Sequence, residues 1–158
     1  MQFDATHHRT GSRLVLAQFA LIGVCVAPLG PTLWSGLWAL GLVALLLAAA
    51  VGALALRSMG ADTRVHPVPD AGTALHTHGL YAWIRHPMYL AVLLACLGVT
   101  LASGRALALV GLLSLMGVLA VKSRFEDRLL AAKFGAQFSD YAARVPALVP
   151  RPWRTHRR

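Results

Sequence analysis

From Leu14 to Leu56 the chain carries no charged residue at all. One unbroken helix of that length is implausible, and Pro28, Gly30 and Pro31 break the run. The pattern therefore predicts one apolar span near residues 14–28 and a second near 33–56. Trp34 and Trp38 fall at the start of the second, where interfacial indoles belong. Two further apolar runs follow, 87–102 and 106–121, separated by a tight reversal at Gly104 and Arg105. Pro87 suits the first turn of the third helix, where its missing N–H costs nothing. A helix over 106–121 would rise only about 24 Å against a hydrocarbon core of roughly 30 Å. The fourth helix is thus expected to run on through Lys122 and Arg124. The first run is also short, and an extension back through Ser12 and Arg13 would lengthen it, with arginine snorkelling. Gly111, Ser114 and Gly117 recur at three-residue spacing, as ordinary close helix packing requires. The expected fold class is all-α: one polytopic membrane domain of about four transmembrane helices with a C-terminal amphipathic helical segment.

The polar stretches separate these runs. Residues 1–13 read as a short tail containing His7, His8 and Arg9. Residues 57–86 form a connector with Arg57, Asp62, Arg64, Asp70 and four histidines, in which Pro67, Pro69 and Gly72 argue against a continuous helix. A connector this long is more than a membrane turn, and such loops tend to carry function. Arg9 and Arg13 ahead of an apolar run also fit a cleaved leader. No small-x-small site follows, however, and Val24 is a poor residue to precede a lipoprotein cysteine, so this run is read as a span.

Composition sharpens the picture. Of 158 residues 57% are hydrophobic and 13% charged, which fits an integral membrane protein better than a soluble domain. The formal net charge of +9 raises nucleic acid as a partner. The basic residues flank apolar runs instead of lining polar helical faces, so no nucleic-acid partner is expected and anionic membrane lipid is. With the amino terminus inside, every one of the 15 Lys and Arg residues except Arg105 falls on the cytoplasmic side. The expected location is a bacterial inner membrane with both termini and the 57–86 connector cytoplasmic. Cys25 and Cys96 both lie in apolar runs and read as small buried residues.

Candidate chemistry concentrates in Gly79–Tyr89, GLYAWIRHPMY, at the mouth of the third helix. Arg85 and His86 there form a polar edge facing membrane-dissolved material. The plainer reading is topological, with Arg85 an inside charge and Tyr81, Trp83 and Tyr89 an aromatic belt; the two are compatible. A second constellation lies in KSRFEDRLLAAKF, residues 122–134, which has helical periodicity and a stop at Gly135. On a helical wheel Glu126 falls inside the apolar arc between Leu129 and Leu130. Lys122 and Lys133 share its direction, and Asp127 lies at the arc's far edge beside Phe134. A carboxylate in an apolar arc needs a partner. Either it pairs locally with Lys122, or it reaches a polar ligand in a pocket completed by Arg85 and His86. Phe138, Tyr141 and Val145 continue as an amphipathic segment ended by Pro146 and Pro150. Arg151, Arg154, Arg157 and Arg158 read as an anionic-lipid contact.

Taken together, the two constellations resemble a known group. Gly79-x-Tyr81-x-x-x-Arg85-His86-Pro87-x-Tyr89 is similar to the core signature of the isoprenylcysteine carboxyl methyltransferase family, within a broader group that contains phospholipid N-methyltransferases. Glu126-Asp127, Leu130, Phe134-Gly135, Tyr141 and the Val145-Pro146 to Pro150 ending resemble its acidic-pair and tail pattern. Residues 60–150 carry the likeness. The departures are Asp127 for a second glutamate, Leu80 for a proline, Phe138 for a tyrosine, and His76 and His78 for less polar residues. The resemblance implies a membrane enzyme using S-adenosylmethionine, with the cofactor enclosed between the ends of the last helices and the C-terminal segment. It implies cofactor contacts from His86, Tyr81, Pro87, Tyr89, Glu126 and Asp127; no metal is expected, since neither cysteines nor regular ligand spacing support one. It assigns catalytic roles to Arg85 and Glu126.

Methyl transfer from a sulfonium needs alignment and desolvation more than covalent help. A carboxylate acceptor is already nucleophilic, and Arg85 could hold it, which favours carboxyl O-methylation of a lipophilic small molecule or lipidated substrate. A phospholipid or small amine would instead need to lose a proton, to Glu126, Asp127 or a histidine. Rival functions are an NADPH-dependent membrane reductase, a non-catalytic membrane subunit, and a zinc protein using His66, His76, His78 and His86 without regular ligand spacing. A channel is disfavoured because only Gln18 is strongly polar within the spans.

Overall fold

A computed structural model describes residues 4–35, 37–59, 67–69 and 72–149. Asp62, Arg64, His66 and Asp70 of the connector, Pro150 and the four terminal arginines lie outside the described residues. The described residues form five α-helices: α1 (Ala5–Val26), α2 (Trp38–Met59), α3 (Pro87–Ser103), α4 (Ala106–Phe134) and α5 (Ala136–Arg144). A 3-10 turn, Gly79–Ala82, precedes α3. Helices α1, α2 and α4 are long and apolar enough to cross a membrane, whereas α3 is apolar but only 17 residues long. Leu40, Leu46 and Leu47 of α2 and Val110, Leu113 and Met116 of α4 stand exposed on the outside of the bundle. Only a hydrocarbon environment makes such a surface favourable. This is a polytopic, all-helical integral membrane protein.

The boundaries of the first and second helices differ from the sequence pattern. The first helix begins at Ala5, well before residue 14, because the Asp4 carboxylate accepts the His7 backbone N–H at 3.0 Å and caps it. The polar 5–13 stretch is therefore helix and not a free tail. The second helix begins at Trp38 and runs on to Met59. Trp34 stays outside it and donates its indole N–H to the Leu101 carbonyl at 3.2 Å. The fourth helix continues unbroken to Phe134, as its short apolar run requires. Its 29 residues rise about 44 Å, so one end must project beyond the hydrocarbon core.

Packing follows residue size. On α2, Gly41, Ala44, Ala48 and Ala55 are buried along one seam, and this helix makes its most extensive contact with α3. The backbones touch at Gly41 and Gly98: a Cβ on Gly41 would lie 2.7 Å from the Gly98 carbonyl oxygen. Helix α1 packs mainly on α4, where Gly111 lies against Cys25. Of the three small residues on α4, Gly111 makes this close approach while Ser114 and Gly117 are exposed. Cys25, Cys96, Leu112, Leu115 and Leu119 form the central core, and both cysteines are free.

The two ends of the bundle are built differently. At one end the 27–37 loop is stitched to the α3–α4 turn: Leu33 N–H donates to Gly104 O at 2.7 Å and Ala106 N–H to Pro31 O at 3.0 Å. Gly104 has φ +63°, and a Cβ there would collide with the Trp34 carbonyl, so the reversal requires glycine. At the other end lie the start of α1, the close of α2, the 3-10 turn, the projecting end of α4, and α5.

Candidate functional site

The site is assembled at this second end, from the α3 mouth upward. The backbone N–H groups of Arg85 and His86 donate to the Pro146 and Ala147 carbonyls, both at 2.9 Å. The segment after α5 is thus pinned to the motif. Tyr141 of α5 reinforces the junction by donating its phenol to the Tyr81 carbonyl at 2.6 Å. Burial pushes the Tyr141 phenol up to about 12; Arg85 opposes that shift and Asp127 adds to it. Burial, then the Glu126 charge, raises the Tyr81 phenol as well. Both phenols stay protonated at neutral pH and serve as donors and walls, not bases. Phe138, Tyr141 and Val145 form a second apolar cluster with Leu75, Leu130 and Phe134. The aromatics of the amphipathic segment therefore pack onto the end of α4.

Around the motif the charges interlock. Arg85 donates to Asp127 through Nε (3.3 Å to Oδ1) and Nη2 (2.7 Å to Oδ2). Its Nη1 donates to the Ala142 carbonyl at 3.1 Å and to the Val145 carbonyl. All but one of the guanidinium's N–H groups are thereby engaged. His86 Nε2 lies 2.9 Å from Asp127 Oδ1. Glu126 takes the other side: Tyr89 donates its phenol to Oε2 at 2.6 Å, and His86 Nδ1 is 3.6 Å from the same oxygen. Tyr89 also stacks on the His86 ring, with centroids 5.2 Å apart and planes at 8°. Lys122 turns away toward α1, where Nζ donates to Gln18 Oε1 at 2.6 Å, and it lies 4.9 Å from the centre of the Tyr89 ring.

Beside this cluster opens a cavity of about 100 Å³. Arg85, His86, Glu126 and Tyr81 contribute its polar wall, while Met59, Leu75, Leu130 and Phe138 contribute apolar surface. Of the sequence-derived site residues, Arg85, His86, Tyr89, Glu126 and Asp127 are in mutual contact. Tyr81 lines the cavity, and Pro87 is buried as the first residue of α3. Asp127, at the edge of the helical wheel, is central here because Arg85 and His86 approach α4 from that side. The wheel shows only a helix's own faces and not what meets them. Sequence reasoning missed the contribution of Pro67–Pro69 and Thr73–His76 to the cavity, and the Gln18–Lys122 pair. The pair had one legible signal: Gln18 is the lone strongly polar residue in its apolar run.

Fold and site together define a helical membrane protein whose last helices and C-terminal segment enclose a polar cavity at one end of the bundle. A family model described as phospholipid methyltransferase matches residues 37–137, and the chain belongs to that family. It is 33% identical over 149 residues to a cobalt-zinc-cadmium resistance protein of Cupriavidus metallidurans, covering 92% of this chain and 65% of that one. It is 42% identical over 81 residues to methanethiol S-methyltransferase 2 of Bradyrhizobium diazoefficiens, covering 51% of this chain and 30% of the relative. A methanethiol S-methyltransferase of Mycobacterium tuberculosis is 33% identical over 100 residues, covering 63% and 39%. The chain spans less than two-thirds of the length of each of these relatives.

Proposed function

We propose that this protein is an S-adenosylmethionine-dependent methyltransferase acting on a small lipophilic acceptor drawn from the membrane, with a thiol as the acceptor the geometry favours. The observation that carries the reading is the cavity at the Arg85-His86-Pro87 motif, with Glu126 and His86 in its wall. The donor set suits the cofactor. Glu126 Oε1 has no hydrogen-bond partner among the described residues and can accept from ribose hydroxyls or an ammonium, while Leu130, Phe138 and Met59 offer apolar contact. The bound cofactor supplies a methyl group on a positively charged sulfur. The protein's part is to hold Glu126, exclude water and align an acceptor.

The acceptor reading turns on Arg85. Carboxyl O-methylation rests on a guanidinium free to grip a carboxylate, and here it is engaged by Asp127 and two carbonyls. A carboxylate acceptor would also meet Glu126 at close range. A neutral thiol has neither difficulty, and two relatives carry names specifying thiol methylation. An amine is the second reading, supported by the same carboxylates, which would attract an ammonium.

The test is titration of S-adenosylhomocysteine into the detergent-purified chain, followed by incubation of its membranes with methyl-labelled S-adenosylmethionine. Saturable binding and label in a volatile thioether are expected. Methanol released by base would mark a methyl ester instead, and base-stable label in lipid would mark N-methylation. If wild type binds neither S-adenosylhomocysteine nor S-adenosylmethionine, the methyltransferase reading is wrong.

A further inference from the structure

We propose that His86 is the proton acceptor for the thiol, acting through Nδ1, with Asp127 as the positioning residue that fixes its tautomer; this rests on the thiol-methyltransferase reading above. The His86 side chain is only 5% exposed, yet it lines the cavity. Its Nε2 is 2.9 Å from Asp127 Oδ1. An ionised carboxylate can only accept, so Nε2 carries the hydrogen, and Nδ1 is the nitrogen left to act as the base. Asp127 is itself held by the two-point contact with Arg85. Nδ1 is 3.6 Å from Glu126 Oε2, beyond hydrogen-bond reach, and that oxygen already accepts from Tyr89. Among the described residues Nδ1 has no hydrogen-bond partner. A buried polar atom left open in a cavity wall marks the place of a ligand.

The ring is also immobile, as a base must be. Tyr89 stacks on one face, the backbone N–H of His86 is tied to Ala147, and Asp127 anchors the far nitrogen. The step balances without any further reactant. The thiol S–H proton passes to Nδ1 as the sulfur electron pair forms a bond to the methyl carbon. The methyl carbon's bond to the cofactor sulfur breaks, and its electron pair stays on that sulfur and cancels the positive charge. The products are a methyl thioether, neutral S-adenosylhomocysteine and an imidazolium paired with Asp127, which returns its proton to water. A free cysteine thiol has a pKa of about 8.5 and a simple alkanethiol is a weaker acid still, so the acceptor is mostly un-ionised at neutral pH and a base has something to contribute.

The variant His86→Gln keeps an N–H donor toward Asp127 and removes the base. In the full-length protein it should bind S-adenosylhomocysteine by calorimetry within about threefold of wild type, the small change left when uniform binding is kept. Its turnover of ethanethiol should fall about 100-fold or more, the usual worth of a general base. Thiophenol, largely ionised at neutral pH, should lose less than about tenfold because it brings no proton to remove. Asp127→Asn should repeat this pattern, because its amide can turn the imidazole to the wrong tautomer. As a readout independent of turnover, histidine-labelled wild type should show by nitrogen NMR one ring with Nε2 protonated and Nδ1 bare, absent from His86→Gln. Loss of S-adenosylhomocysteine binding in His86→Gln with wild-type binding intact would make His86 a cofactor contact and overturn the proposal. So would equal losses with both thiols, a wild-type ring protonated at Nδ1 with Nε2 bare, or a wild type that binds cofactor but methylates neither thiol. Failure of wild type to bind S-adenosylhomocysteine overturns the underlying methyltransferase reading instead.

Discussion

Adjacent acidic residues on α4 have opposite assignments. Asp127 is tied to the protein on both oxygens, while Glu126 keeps Oε1 open beside the cavity. Replacing Glu126 by Ala should therefore leave the fold intact and weaken S-adenosylhomocysteine binding about tenfold or more, the cost of losing one charge-assisted contact. Unchanged affinity by calorimetry would remove Glu126 from the cofactor site. Arg85→Lys should do the reverse. Lysine cannot span Asp127 and the two carbonyls of the tail at once, so it should cost about 2 kcal/mol of stability. A lowered thermal midpoint with cofactor affinity only indirectly reduced is expected; a midpoint equal to wild type would mean the guanidinium is not structural. Both carboxylates and the Arg-His-Pro run were legible as a site from their residue types and order. Their division of labour was not, because it depends on which oxygen each neighbour reaches.

At the scale of elements, helix approach is decided by a few small residues. Gly41→Ala would put a Cβ 2.7 Å from the Gly98 carbonyl and 2.9 Å from the Ala102 Cβ, so α2 and α3 must part. Overpacking of this kind should cost about 1–3 kcal/mol. Gly117→Ala on the same bundle meets nothing within 4 Å and should be neutral or stabilise by up to about 1 kcal/mol through helix propensity. Thermal unfolding in one detergent compares the pair directly, and equal midpoints would show that α2 and α3 are not in backbone contact. Glycine at both positions is plain in the sequence, but spacing alone singled out Gly111, Ser114 and Gly117. Only Gly111 of these faces a neighbour. Helix α1 illustrates the same gap: hydropathy ends its apolar run near Arg13, while a side-chain cap at Asp4 carries the helix further.

For the whole molecule, the stitched turns and the cavity lie at opposite ends of the bundle, and charge supplies the orientation. We propose that the cavity end, which gathers every Lys and Arg among the described residues except Arg105, faces the cytoplasm. Cysteines introduced at His78 and at Leu29 should then label from opposite sides of a sealed membrane, His78 from the cytoplasmic one. The native Cys25 and Cys96 are buried and give little background. Labelling of both introduced positions from the same side would contradict the four-crossing topology, and His78 labelling from outside would invert it.

By itself the sequence determined what depends on local chemistry. Uncharged runs too long for one helix, prolines between them and a one-sided charge distribution specify a helical membrane protein with its polar residues at one end. The motif's residue types specify where chemistry belongs, since a guanidinium, an imidazole and two carboxylates at a membrane surface are too costly to keep without partners. Tertiary structure alone decided how those groups pair. Residues 85–86 and 126–127 are about forty positions apart, and the tail carbonyls that occupy Arg85 lie further on, in a segment placed by the packing of Phe138 and Tyr141. A hydrogen bond is fixed to a few tenths of an ångström. Hydrophobic periodicity sets only the face of a helix, so the engaged Arg85, the open Glu126 oxygen and the bare His86 nitrogen emerge only once α3, α4 and the tail are brought together.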